Sequence, residues 1–238
     1  ETVRTQTGHS PHCAGIRPKD RMKRSALSLE QAVLPMTLKL SIIVPVFNAV
    51  ATIVKILQEV RNQELPEVDV ELIVVDDGSS DGTGALLEQD PSLYDKFIRR
   101  PHNGGKGAAV RDGLGVASGD FILFQDADLE YDPGDYRFLV EPLLRLDADI
   151  VVGSRFIAPQ ITRVHYFWHK IGNRFLTTLF NVLFNTTFTD IYSCYLLYRR
   201  SLVDPNALKS NGWDQQAEIL ATAVSKNPRI YEVPVRYY

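Results

Sequence analysis

The chain is sparing with several residue types, and each scarcity removes a class of explanation. Among 238 residues there are two cysteines, two methionines and two tryptophans. Cys13 and Cys194 are far apart and sit in no CxxC spacing, so neither a zinc knuckle nor a dithiol redox motif is written here, and free thiols in a reducing compartment are the simple expectation. No apolar run approaches the ~18 to 20 residues that cross a bilayer, and the first residues lack the basic-then-apolar order of a secretory leader. The sequence therefore reads as soluble or peripheral. Charge of one sign is also missing: a formal net charge of -3 gives no electrostatic reason to expect nucleic acid and argues against binding membranes by charge alone.

What is present is the composition of one ordinary globular domain, 45% hydrophobic and 23% charged. Residues 1–38 mix Thr, Ser, His, Pro, Arg and Lys without periodicity and read as a flexible N-terminal arm. From residue 39 to 238 the texture is that of a folded domain. "LKLSIIVPVF" is a buried strand, "VATIVKILQEVRNQ" has helical spacing, and "VDVELIVVDDGSSDGT" is a second strand running into a turn. "YDKFIRR", "DFILFQDAD" and "DADIVVGSRF" supply further strands, with helices over "GKGAAVRDGLGVA" and "PGDYRFLVEPLLRL" between them. "TDIYSCYLLYRR" and "RIYEVPVRYY" read as closing strands around a helix at "GWDQQAEILATAVS". Such alternation predicts an α/β fold, an open and mainly parallel sheet with helices on both faces. Ligands of such sheets bind beyond the carboxyl ends of the strands, where "PVFNA", "DDGSSDGT" and "QDADLE" all fall.

Each polar cluster admits a functional and a plain reading. Asp126 and Asp128 can address one divalent cation, Mg2+ or Mn2+, together with a substrate phosphate, or can simply cap the next helix. Asp76 and Asp77 stand side by side after a hydrophobic strand, which a turn does not require; a nucleobase or ribose would give Asp76 a use. Lys106 opens a helix in "NGGKGAAV", where it approaches an anion or is merely solvated; the spacing is not that of a P-loop. Arg155 suits a phosphate or a salt bridge to a nearby aspartate. His165 and His169 are four apart but lack the glutamate of HExxH, so zinc is not expected; the aromatics between them suit either a lipid headgroup boundary or packing on the sheet. Asp190 and Glu218 are lone acids, each readable as a base, as a partner that holds another site residue, or simply as a cap or an exposed acid.

In order, "SIIVPVFN", "VVDDGSSDGT", "NGGKGAAV", "QDADLEYDP", "VVGSRF" and "TDIYSCYLLYRR" resemble the family 2 glycosyltransferases of GT-A fold, within them the dolichol-phosphate or polyprenyl-phosphate mannose and glucose synthases. That resemblance implies an inverting transfer of mannose or glucose from a GDP- or UDP-sugar to a dolichyl or polyprenyl phosphate, at the cytoplasmic face of a membrane touched by residues 163–188. It implies a nucleotide site of Pro45, Phe47, Asn48, Asp76, Asp77, Lys106, Asp126 and Ala127, and a metal site of Asp126, Asp128 and Glu130. Arg155, with His169 second, would hold the acceptor phosphate; catalytic roles fall on Asp128, Arg155 and Asp190, the last as base if the acceptor is a hydroxyl. One departure is Ala49, where the family commonly carries a glutamate after Asn. The alternatives kept open are a glycan or protein hydroxyl acceptor, and a nucleotide-sugar binder without catalysis.

Overall fold

A computed structural model describes residues 37–157 and 167–238, together with Thr2. The chain divides into Glu1–Met36 and Thr37–Tyr238, and the second unit carries the fold; the arm expected over residues 1–38 falls almost wholly outside the described residues, as do Cys13 and His165. Seven strands form one sheet in the order β3-β2-β1-β4-β6-β5-β7. They are β1 (Leu38–Val46), β2 (Val68–Asp76), β3 (Lys96–Arg99), β4 (Phe121–Phe124), β5 (Ile150–Ser154), β6 (Leu196–Arg199) and β7 (Ile230–Pro234). Among the described residues six α-helices connect them: α1 (Ile53–Arg61), α2 (Thr83–Gln89), α3 (Lys106–Val116), α4 (Tyr136–Leu146), α5 (Phe167–Phe184) and α6 (Gln215–Val224).

The strands form where β-branched and aromatic residues run together, and β1 shows why the sheet is covered on both sides. Leu40, Ile42 and Val44 point one way and Ser41 and Ile43 the other, yet all five are inaccessible to solvent. α1 buries Ile53, Ile56, Leu57 and Val60, an i, i+3, i+4, i+7 stripe against the core. β1 pairs parallel with β2 and with β4, and β2 with β3. β6 is the exception, running antiparallel to both β4 and β5. Because it is antiparallel to both, β5 points the same way as β4, and the carboxyl ends of β1, β2, β4 and β5 open onto one rim.

The opposite rim is pinned by a buried acid. Glu71 accepts from Ser41 Oγ at 2.5 Å, Ser118 N at 2.8 Å and Ser118 Oγ at 2.7 Å, and pairs with Lys96 Nζ at 2.7 Å. Burial alone would raise its pKa, but Lys96 and the three hydrogen bonds outweigh it and lower the group from 4.5 to about 2. The stabilisation is complete above about pH 4.5 and is lost as pH falls toward about 2, because the unfolded chain binds the proton first. Glu71→Gln is expected to cost about 2 kcal/mol in urea unfolding at pH 7. The gap from wild type should narrow at pH 3; a pH-independent gap would contradict the charge as its source.

Candidate active site

At the shared rim a cleft of about 590 Å³ is lined by Pro45, Val46, Phe47, Asn48, Asp77, Lys106, Asp126, Ala127, Asp128 and Trp213, among others. Three loops build it. The first, after β1, is fastened to the second, after β2: Asn48 N donates to Ser79 Oγ at 2.9 Å, Ala49 N to Thr83 Oγ1 at 2.9 Å and Val50 N to Asp81 Oδ2 at 3.0 Å. In return Asn48 Oδ1 accepts from Ser80 N at 2.9 Å. These bonds satisfy a turn in which Asn48 takes a positive φ of 50°, and they leave the Phe47 ring half exposed in the cleft wall. The Ala49 methyl packs against the core, and its amide does the fastening.

Asp76 and Asp77 part company at the end of β2. Asp77 lines the cleft and accepts from Gly104 N at 3.0 Å and Gly105 N at 2.9 Å while pairing with Arg100. Asp76 does not line it: fully buried, it accepts from Ser79 N at 3.0 Å and lies 3.6 Å from Arg99 Nε. At the end of β2 the two adjacent side chains diverge, Asp77 toward the cleft and Asp76 into the interior, where its Oδ2 has no hydrogen-bond partner. The repulsion expected between neighbouring acids is met by a separate arginine for each.

The third loop follows β4. Asp126, partly exposed, pairs through Oδ1 with Lys106 Nζ at 2.5 Å, so Lys106 is neither solvated nor idle. The Trp213 ring covers the same ammonium at 4.5 Å, and Trp213 itself is 72% exposed at the cleft mouth. Asp128 is exposed, and its Oδ1 accepts from Glu130 N at 3.0 Å. Desolvation within the cleft, followed by the nearby carboxylates of Asp126 and Glu130, raises the Asp128 carboxyl above its usual range. Carboxylates crowded so that one resists ionisation fit a cation. The donor set is nevertheless smaller than expected: no group of three metal-ligating side chains is assembled among the described residues, and Glu130 instead accepts from Tyr237 Oη at 2.5 Å. Two carboxylates with substrate oxygens and water are the usual ligands of Mg2+ or Mn2+.

Arg155 stands on the same rim, just past β5. Its Nε and Nη2 donate to Asp190 at 2.7 and 2.9 Å, and its backbone N reaches the same carboxylate at 3.3 Å. Burial would lower its pKa, but this pairing raises it and the guanidinium stays charged. Asp190 is fully buried and also accepts from Asn173 Nδ2 at 3.3 Å. Both of its oxygens are engaged, and in this arrangement it holds Arg155. Glu218 is likewise a cap, accepting from the backbone N of Lys209 and Ser210 at 2.9 Å each. His169 is exposed on α5, away from the cleft lining.

Two contributors escaped the sequence reading. Trp213 is brought to Lys106 because α3 begins against its loop: a Cβ on Gly105 would lie 2.4 Å from Asn211 O, and Gly105 itself has φ +92°. Tyr237 bridges Tyr131 and lies 5.3 Å from the Arg155 guanidinium, joining the metal-side loop to the arginine. A lone tryptophan among polar turn residues was the one signal available.

Residues 41–205 match the family model described as glycosyl transferase family 2. The chain belongs to that family. Among family 2 relatives, glycosyltransferase AglJ of Haloferax volcanii is 27% identical over 201 residues, 83% of this chain and 62% of AglJ. The chain thus spans less than two thirds of AglJ's length. Polyprenol monophosphomannose synthase of Mycolicibacterium smegmatis is 29% identical over 207 residues, 82% of this chain and 76% of that protein. Glucosyl-3-phosphoglycerate synthase of Mycobacterium tuberculosis, crystallised with Mn2+, UDP and phosphoglyceric acid, superposes with a TM-score of 0.65 at 20% identity, covering 95% of this chain and 76% of that one. This likeness establishes the GT-A fold expected from the sequence.

Proposed function

We propose that this chain is the catalytic domain of an inverting glycosyltransferase that moves a hexose from a nucleotide sugar to a polyprenyl phosphate at a membrane surface. One observation carries the lipid acceptor. α5 is an 18-residue helix on which only Thr177 and Phe180 are buried, while Trp168, Ile171, Phe175, Leu179 and Val182 recur at three- and four-residue steps and are all exposed. Through Asn173 that same helix bonds Asp190, which grips Arg155. The helix that carries the apolar stripe is therefore joined to a fixed cation at the rim through Asp190. Lys170 and Arg174 beside the stripe suit anionic headgroups, and no helix among the described residues is long and apolar enough to cross a membrane.

In this reading Phe47, Asn48 and Asp77 shape the nucleotide end of the cleft, and Asp126 and Asp128 hold Mg2+ or Mn2+. The metal, when bound, neutralises charge on the departing diphosphate, a contribution on the order of several kcal/mol. Arg155 presents the guanidinium edge not taken by Asp190 to the acceptor phosphate. That phosphate is already anionic at neutral pH and needs no base, which agrees with Asp190 and Glu218 being otherwise engaged. Attack from the face opposite the leaving group inverts the anomeric carbon. The polyprenol synthase relative supports the acceptor class, and the UDP and Mn2+ bound by the structural relative support the donor and cofactor class.

The test uses polyprenyl phosphate in anionic vesicles with labelled GDP-mannose and UDP-glucose. Label is expected in the organic phase, and Trp168→Ser/Phe175→Ser is expected to cut that transfer about tenfold or more, from the apolar area withdrawn from the bilayer. Label passing only to soluble hydroxyl acceptors, with the α5 variant unaffected, would overturn the lipid assignment.

A further inference from the structure

The cleft carboxylate best placed for a metal already holds a cation belonging to the protein. Lys106 Nζ lies 2.5 Å from Asp126 Oδ1, and the Trp213 ring closes over the ammonium at 4.5 Å. The three groups come from separate elements: the first residue of α3, the loop after β4 and the loop before α6. Asp126 and Asp128 line the same cleft, so a divalent ion that takes Asp126 Oδ1 as a ligand has to displace the ammonium already paired with it. A solvated lysine has no need of an aromatic cover, and a structural ion pair has no need to lie in the floor of an open cleft.

We infer that Lys106 is an exchangeable cation that occupies the metal position and surrenders it when a nucleoside diphosphate arrives, so that donor and metal load together. The inference rests on the proposed function and deepens it. With no diphosphate present, a divalent ion must displace Lys106 from Asp126 without offering the ammonium another anion. Diphosphate oxygens supply that anion beside Lys106 at the start of α3. Lys106 then changes partners from Asp126 to the diphosphate, and Trp213 loses its cation. Because each ligand removes an obstacle to the other, their affinities are reciprocally coupled. Lys106 is on this account a positioning residue for metal loading.

The experiment measures Mn2+ binding to the full chain by electron paramagnetic resonance, without nucleotide and with UDP or GDP. Wild type should bind Mn2+ weakly alone and about tenfold or more tightly with the effective nucleotide, within the usual span of coupling between sites. Lys106→Met should bind Mn2+ alone about tenfold more tightly than wild type and show a smaller gain from nucleotide, whereas Lys106→Arg, which keeps the cation, should behave as wild type. Trp213→Ala, an exposed loop substitution that serves if Lys106→Met fails to fold, should tighten Mn2+ alone about two- to fivefold, the loss of one cation–π contact. Mn2+ binding by folded Lys106→Met or Trp213→Ala no tighter than wild type would overturn the exchange. Failure of wild type to bind Mn2+ even with nucleotide is a separate result, and it would remove the metal-dependent reading itself.

Discussion

Replacing Asp128 with alanine will lower hexose transfer by about a thousandfold or more while the protein stays folded. The size follows from the several kcal/mol a metal contributes to leaving-group stabilisation, at about 1.4 kcal/mol for each factor of ten. The folded state should be indifferent because Asp128 is exposed and its one hydrogen bond within the fold is to Glu130 N at 3.0 Å. Relief of the crowding that raises the Asp128 carboxyl should offset loss of that turn bond, so the thermal midpoint is expected to move little. Initial rates with saturating Mn2+, beside a melting curve, check both halves. EDTA should reproduce the loss in wild type and Mn2+ should restore it. Full turnover by Asp128→Ala, or by chelated wild type, would show that the acids at this rim have another purpose.

The second large effect is expected at Asp190, and it separates two readings of the same carboxylate. Asp190→Ala strands the largely buried Arg155 guanidinium without its counter-ion, which should cost about 3–5 kcal/mol of stability. Arg155→Met leaves the opposite charge buried and should cost a similar amount. Combining Arg155→Met with Asp190→Ala should recover part of both losses, since neither position then carries an unpaired charge. Urea unfolding of the singles and the double measures that coupling directly. A base would behave otherwise: Asp190→Asn would remove turnover and leave stability nearly unchanged. For a holder of Arg155, Asp190→Asn should chiefly raise KM for the acceptor phosphate, because the guanidinium loses its aim.

Much of the fold could be read from local pattern because the strands are nearly continuous apolar runs. Each of "SIIVPV", "ELIVV" and "FILF" ends abruptly in polar residues, and that break marks the rim. The same breaks made Asp77, Lys106, Asp126 and Asp128 visible as cleft residues before any geometry was known. What was hidden depends on direction or on distance in sequence. One residue of register decides that Asp77 faces the cleft and Asp76 the interior, and two adjacent aspartates look alike until β2 is placed. That Asp190 is the aspartate paired with Arg155 could not be picked out, because the two lie 35 positions apart. The bond from Tyr237 to Glu130 spans 107 positions and could not be foreseen. Trp213 meets Lys106 only after α3 has docked on the Asn211 loop.

The insertion of β6 between β4 and β5 fixes a timetable for assembly. β1 to β4 can pair as soon as residue 124 is available, giving the donor half its complete set of parallel ladders from an uninterrupted stretch of chain. β5 is made next but has no neighbour until Leu196–Arg199 emerges to bridge it to β4. Arg155 must therefore wait for Asp190, just ahead of that bridging strand, before its charge is matched. During synthesis the half built from β5, β6 and β7 is the late half, and a ribosome pausing between residues 155 and 190 would expose an unpartnered strand edge to other nascent chains.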